Sequence, residues 1–133
     1  MTESKRSHRG GARALKRLRA ICAALPESLE TKTFGHPTFQ AGKGRTFVVL
    51  DDHEQPGLLC LVVKLDSAEQ KARVDGVRVF PSRFGAKHGW TAVRVDADTD
   101  WDLAKDVVIR SFRSVALKRM IASLEAGKPT RPA

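Results

Sequence analysis

Four short stretches rich in β-branched and aromatic residues follow one another with little between them: Thr31–Phe34, Thr38–Ala41, Thr46–Leu50 and Leu58–Leu65. Runs of this kind read as strands. What separates them is turn chemistry: Gly35-His36-Pro37, the glycine loop Ala41-Gly42-Lys43-Gly44-Arg45, and the polar segment from Asp51 to Gly57. Parallel neighbours need a crossover of about a dozen residues or more, so strands joined this closely must pair antiparallel. Leu58-Leu59-Cys60-Leu61-Val62-Val63 is apolar without alternation, as expected of a strand covered on both faces.

The flanks have a different period. From Ala12 to Leu25 the residues Leu15, Leu18, Ile21, Cys22 and Leu25 fall on one helical face, with Arg13, Lys16 and Arg17 opposite; Pro26 ends the pattern. Asp66 or Ser67 can cap a short helix to about Val74. Residues 75–90 read as irregular, and Thr91–Val95 as another strand. Thr99 sits at the expected N-cap of a helix that buries Trp101, Ala104, Val108, Phe112 and Val115. Beyond Val115 that stripe fails, because Leu117, Met120, Ile121 and Leu124 lie on nearly the opposite face of an ideal helix. Either the helix kinks, or its last turns pack on something else. The expected fold is α+β: a single antiparallel sheet of about five strands packed against helices, in the order α-β-β-β-β-α-β-α. Residues 12–126 form one domain, between a basic disordered arm (1–11) and a disordered tail (127–133).

Charge is distributed unevenly. Residues 1–19 carry seven Lys/Arg against one acid and residues 110–133 six against one, whereas the centre holds eleven bases and thirteen acids. The net charge of +9 is therefore supplied by the two ends. A positive surface of this origin can attract polyanions. The two cysteines, Cys22 and Cys60, sit in apolar runs and form no disulfide framework. No apolar stretch approaches the roughly 18 residues of a membrane span, no apolar signal-peptide core is present, and a cytoplasmic location is expected.

Catalytic chemistry finds few parts. Gly42-Lys43-Gly44 lacks the spacing and following helix of a phosphate loop and reads as a hairpin displaying Lys43 and Arg45. His8, His36, His53 and His88 have no ligand partner at helical spacing, and neither cysteine has a CxxC partner, so no metal or cofactor is expected. His53 reads as a solvated turn residue. No G-x-S-x-G elbow occurs, and neither Ser nor Cys has a base nearby in sequence, so no catalytic residue is assigned. The segment Phe80–Trp90 combines Arg83 and Lys87 with Phe80, Phe84 and Trp90, which suits phosphate pairing and base stacking. The rings can equally plug the edge of the core.

In order along the chain, Lys32-Thr33-Phe34-Gly35-His36-Pro37-Thr38-Phe39, Gly42-Lys43, Phe47, Lys64, Pro81-Ser82-Arg83-Phe84, Gly89-Trp90 with Val93, Trp101, and Ser111 to Arg119 resemble the MmcQ/YjbR family. The resemblance spans roughly Arg13 to Met120. It implies a fold akin to type III secretion chaperones and frataxin-like domains, and the family's label of a DNA-binding protein with a double-wing arrangement. Two departures are Phe112, where the family often has Tyr, and Leu117, where a frequent Pro is absent and the helix could run on.

Three functions are therefore expected, in order. The first is non-enzymatic DNA binding with little sequence specificity, through Arg13, Lys16, Arg17, Lys43, Arg45, Arg83, Lys87, Trp90, Lys118 and Arg119. Neutralising about six phosphates would cost about a thousandfold in affinity between 50 and 200 mM salt. The second is a protein partner or a second copy held by Leu117, Met120, Ile121 and Leu124. The third is a small-ligand or enzymatic site formed by His36, Lys64, Arg83 and Trp90 converging at one sheet edge.

Overall fold

The computed structural model describes the backbone of residues 2–55, 57–83 and 85–130, and the side chains of residues 11–127 among these. Six strands form one antiparallel sheet: β1 (Ser28–Thr33), β2 (His36–Ala41), β3 (Thr46–Asp51), β4 (Leu59–Lys64), β5 (Val79–Pro81) and β6 (Trp90–Val95). Their spatial order is β1-β2-β3-β4-β6-β5, with every neighbouring pair antiparallel. The helices are α1 (Thr2–Ala23), α2 (Ser67–Arg73), α3 (Trp101–Val115) and α4 (Lys118–Thr130), with a 3-10 turn at Ala86–His88. The expected α+β architecture is present, with one strand more. The missing strand, β5, is three residues long and holds Pro81, whose lack of an N–H suits its place on the edge of the sheet. Its entry is set by Asp75, whose carboxylate accepts the backbone N–H groups of Val77, Arg78 and Val79.

One face of the sheet carries the main core. Leu18 and Cys22 of α1, and Val107, Val108 and Phe112 of α3, close on Phe39, Val48, Leu50, Leu61, Val63 and Val93. On the other face Cys60, Phe80 and Ala92 form a smaller cluster. Leu61 and Val62 of β4 are thus buried on opposite faces, as the unbroken apolar run requires. Burial pushes both cysteine thiols up to about 12, so neither is a thiolate nucleophile near neutral pH.

The strand pairing contains a bulge. Phe39 pairs with Val48 but Gln40 pairs with Thr46, leaving Phe47 as the extra residue. Phe47 consequently turns into the helix-side core and meets Phe112 edge-on, the ring centroids 5.2 Å apart. Phe47 and Lys64 are the positions that follow the Val48–Val63 pair. Between them stands the buried Ser111 of α3, whose hydroxyl donates to the Phe47 carbonyl and accepts the Lys64 N–H at 2.7 Å.

Three helix boundaries correct the sequence reading. α1 is helical from Thr2, through backbone where an arm is expected up to residue 11; the side chains of 2–10 and residues 131–133 of the expected tail lie outside the described set. The N-cap of α3 is Asp100, which accepts from the Asp102 and Leu103 N–H groups, because Thr99 is already engaged by the Asp96 N–H. The third correction is at Leu117, where the helix does not run on despite the absent proline. Ala116 is extended, with ψ 153°, and α4 begins as a separate helix at Lys118. That break turns the out-of-phase stripe inward: Met120 is buried in the main core, with Leu117 and Leu124 packed against it. The apolar face expected to be spare for a partner is largely core.

Candidate nucleic-acid interface

In an antiparallel sheet, alternate loops emerge at the same end. Here the exit of β2, the entry of β3, the exit of β4 and the entry of β6 share one end, together with the C-terminus of α3. The sequence places lysine or arginine at almost every one of these points.

The β2–β3 loop is closed by the Ala41 N–H donating to the Arg45 carbonyl at 2.8 Å, with Gly42 and Gly44 at positive φ. Met120 of α4 packs so tightly on Gly42 that a β-carbon there would meet its methyl at 2.9 Å. Lys43 is exposed at the loop tip, and the Arg45 guanidinium donates to the Val115 carbonyl at 3.2 Å, a cation on the negative end of α3. Lys118 and Arg119 open α4 beside this loop. Arg119 is held in a two-pronged pair with Glu27 at 2.8 and 3.1 Å, which keeps the Glu27 carboxyl below its usual range.

On the neighbouring strands, Lys64 ends β4 directly opposite Trp90. The Trp90 indole is half-buried against the α-carbon of Gly85, so it is no open stacking platform. Gln70 of α2 donates to the carbonyls of Ala86 and Trp90 and to Thr91 Oγ1, fixing the turn that displays Lys87. Lys64, Gln70, Lys87, His88 and Ser114 line a cleft of about 540 Å³. Six of the ten expected contact residues therefore share one end: Lys43, Arg45, Lys87, Trp90, Lys118 and Arg119.

Three of the other four are elsewhere, and the fourth, Arg83, turns its side chain away. Arg13, Lys16 and Arg17 are exposed on α1, and the Arg17 guanidinium lies 5.3 Å from the centroid of Trp101, at the start of α3 and hence at the far end of the sheet. Arg83 leaves β5 beside Trp90, where the Ser82 N–H donates to the Trp90 carbonyl at 3.0 Å, but its side chain donates to the His53 carbonyl at 3.3 Å and its backbone N–H to Glu54. Phe84, read as part of the same loop, lies outside the described residues. The single patch expected from both chain ends is thus split. Lys64 also stands at this end, outside the ten residues expected from the sequence; the signal for it is its place as the last residue of β4.

The opposite end of the sheet is acidic, with Asp51, Asp52, Glu54, Asp96, Asp98, Asp100 and Asp102 on its loops and first helical turn. Asp96 is paired with Arg78 and Arg94, and Arg78 holds its carboxyl below the usual range. The proposed four-residue ligand site separates into two parts. Lys64 and Trp90 are cross-strand partners, while His36 meets His53, whose carbonyl takes Arg83. The Asp51-Asp52-His53 turn and His36 do converge, which the sequence reading of His53 as a solvated turn residue misses.

No helix among the described residues is long and apolar enough to cross a membrane. A comparison with curated proteins finds no match. The crystal structure of the Deinococcus radiodurans protein DR2400, a DUF419 protein, is similar at 25% identity with a TM-score of 0.63, over 81% of this chain and 85% of that one. The YjbR family model matches residues 23–114, which run from the end of α1 through β1–β6 to Ser114 near the end of α3. The strands and loops that build the basic end thus lie almost wholly within the matched region, and the chain belongs to the YjbR family.

Proposed function

We propose that this chain is a nucleic-acid-binding protein, with DNA as its ligand, gripping phosphates through the basic end of the sheet without catalysis. The observation that supports the reading is the convergence of Lys43, Arg45, Lys64, Lys87 and Lys118 onto one end, where Glu27 is paired with Arg119 and Asp66 lines the cleft beside Lys64 and Lys87. None of the four lysines carries an ion pair among the described residues. Residues of this type, on loops and element ends, meet phosphate oxygens and carry no base-reading geometry, so sequence preference is weak.

Five such contacts give a salt slope of about −4.5, or roughly a five-hundredfold loss of affinity between 50 and 200 mM salt. Fluorescence anisotropy with duplex and single-stranded oligonucleotides measures this directly. Lys43→Glu with Lys118→Glu is expected to flatten the slope by about two. Arg13→Glu with Arg17→Glu, at the far end, is expected to leave the slope within half a unit of the parent. An affinity that does not change with salt, or equal effects from the two pairs, would defeat the proposal.

A further inference from the structure

We infer that His36 Nε2, His53 Nδ1 and a carboxylate oxygen of Asp51 form a binding site for a divalent first-row transition metal of the zinc type, with Asp52 as its outer partner.

The site is assembled by register. Thr38 of β2 pairs with Val49 of β3, so two residues further along the ladder His36 stands opposite Asp51. Phe34 and Gly35, at φ 50° and 83°, make the two-residue turn that reverses β1 into β2 and starts β2 at His36. On the other strand, Asp51 Oδ1 accepts the His53 backbone N–H at 2.8 Å, folding the turn so that the His53 ring returns over His36. The rings meet edge to face with centroids 4.6 Å apart. The turn is anchored behind by Glu54, 2% exposed, which accepts from the Ser82 hydroxyl and the Arg83 N–H at 2.5 and 2.8 Å.

The spacing is that of a coordination shell. His36 Nε2 lies 3.2 Å from His53 Nδ1 and 3.6 Å from Asp51 Oδ1. Ligands at 2.0–2.2 Å from a tetrahedral zinc stand about 3.3–3.6 Å apart. One nitrogen of each ring thus lies close enough to the other, and to the Asp51 carboxylate, to share one ion. The other nitrogens, His36 Nδ1 and His53 Nε2, both face Asp52 Oδ1, at 3.9 and 3.5 Å. A carboxylate behind the non-ligating nitrogens is how metal-bound histidines are oriented. Exposure grades outward: the side chains of His36 and Asp51 are 19% and 13% exposed, that of His53 70%, leaving an approach from solvent. Two imidazoles and a carboxylate favour zinc, cobalt or nickel over magnesium and calcium, which prefer all-oxygen shells. With three protein donors, a fourth position stays open to water.

Titration calorimetry of the full chain with Zn²⁺, and visible absorption with Co²⁺, test the site. One equivalent is expected to bind, with the ligand-field band of four- or five-coordinate cobalt and no response to Mg²⁺. His53→Ala, at an exposed side chain whose loss spares the fold, is expected to weaken Zn²⁺ binding about a hundredfold, and Asp52→Asn about tenfold. His8→Ala and His88→Ala are expected to leave it unchanged. If the parent chain binds no Zn²⁺, or the His53→Ala chain binds it as tightly as the parent, the assignment is wrong. The result is read separately from nucleic-acid binding, because none of His36, Asp51, Asp52 and His53 is among the proposed phosphate contacts.

Discussion

Replacing Gly89 with alanine is expected to destabilise the fold by about 3 kcal/mol or more. Gly89 closes the 3-10 turn at φ 95°, a left-handed conformation that costs an L-residue roughly 1–2 kcal/mol. Space is the larger obstacle. A β-carbon there would lie 2.2 Å from the Leu65 carbonyl oxygen, and backbone cannot rotate away as a side chain does. The Gly89 carbonyl also accepts the Leu65 N–H at 2.9 Å and the Thr91 hydroxyl at 3.0 Å. Displacing the turn strands those donors beside the buried Leu65, at roughly 1–3 kcal/mol. Two other glycines calibrate the effect. At Gly85 the obstacle is the Trp90 ring, which can shift, so Gly85→Ala should cost less. At Gly44 nothing lies within 4 Å, and only the left-handed φ is charged, about 1 kcal/mol. Urea unfolding followed by tryptophan fluorescence should rank the three in that order. A Gly89→Ala chain within 1 kcal/mol of the parent would show that the turn is not held against β4.

Ser111→Ala is expected to cost about 2–3 kcal/mol, an unusually large effect for removing one oxygen. The hydroxyl bridges β3 and β4 just beyond the Val48–Val63 pair, accepting the Lys64 N–H and donating to the Phe47 carbonyl. Without it, a carbonyl and an N–H lose their partner beside the fully buried Ser111 and Phe47. Ser114, one turn later and exposed, bonds only the Ser111 carbonyl, so Ser114→Ala should stay within about 0.5 kcal/mol. The denaturation midpoint should fall for Ser111→Ala with its slope unchanged. Equal stability of the two alanine chains would mean that the bridging hydroxyl contributes nothing.

Features that rest on local chemistry were legible in the sequence. The β2–β3 glycine loop, the unbroken apolar run of β4 and the Asp66 cap of α2, which accepts the Glu69 N–H at 2.8 Å, each follow from a few adjacent residues, whereas the first turn falls at Phe34-Gly35 and His36-Pro37 belongs to β2. The α3 cap was misplaced by one position because Thr99 and Asp100 can each accept an N–H, and only the turn at Asp96 decides between them. The bulge left no mark, since Thr46-Phe47-Val48-Val49-Leu50 fits a regular strand equally well. Failure of the apolar stripe after Val115 announced a change of direction, but its resolution as a break at Ala116 depended on where Met120 could be buried.

The sites divide in the same way. Lys43, Arg45, Lys87 and Lys118 could be named as exposed cations, yet their common end follows only from strand direction and order. Arg17 and Arg83 were drawn aside by partners distant in sequence, Trp101 and the His53 carbonyl. His36 and Asp51 are fifteen positions apart, and nothing but the β2–β3 register sets them side by side.

The most direct measurement of the central claim is a titration of an isotope-labelled chain with a short DNA duplex, followed amide by amide by NMR. Shifts are expected to concentrate at residues 42–45, 64–65, 87–90 and 116–119 and to fade together as salt is raised. Shifts centred instead on residues 34–36, 51–54 and 96–102, or none at low salt, would contradict that claim.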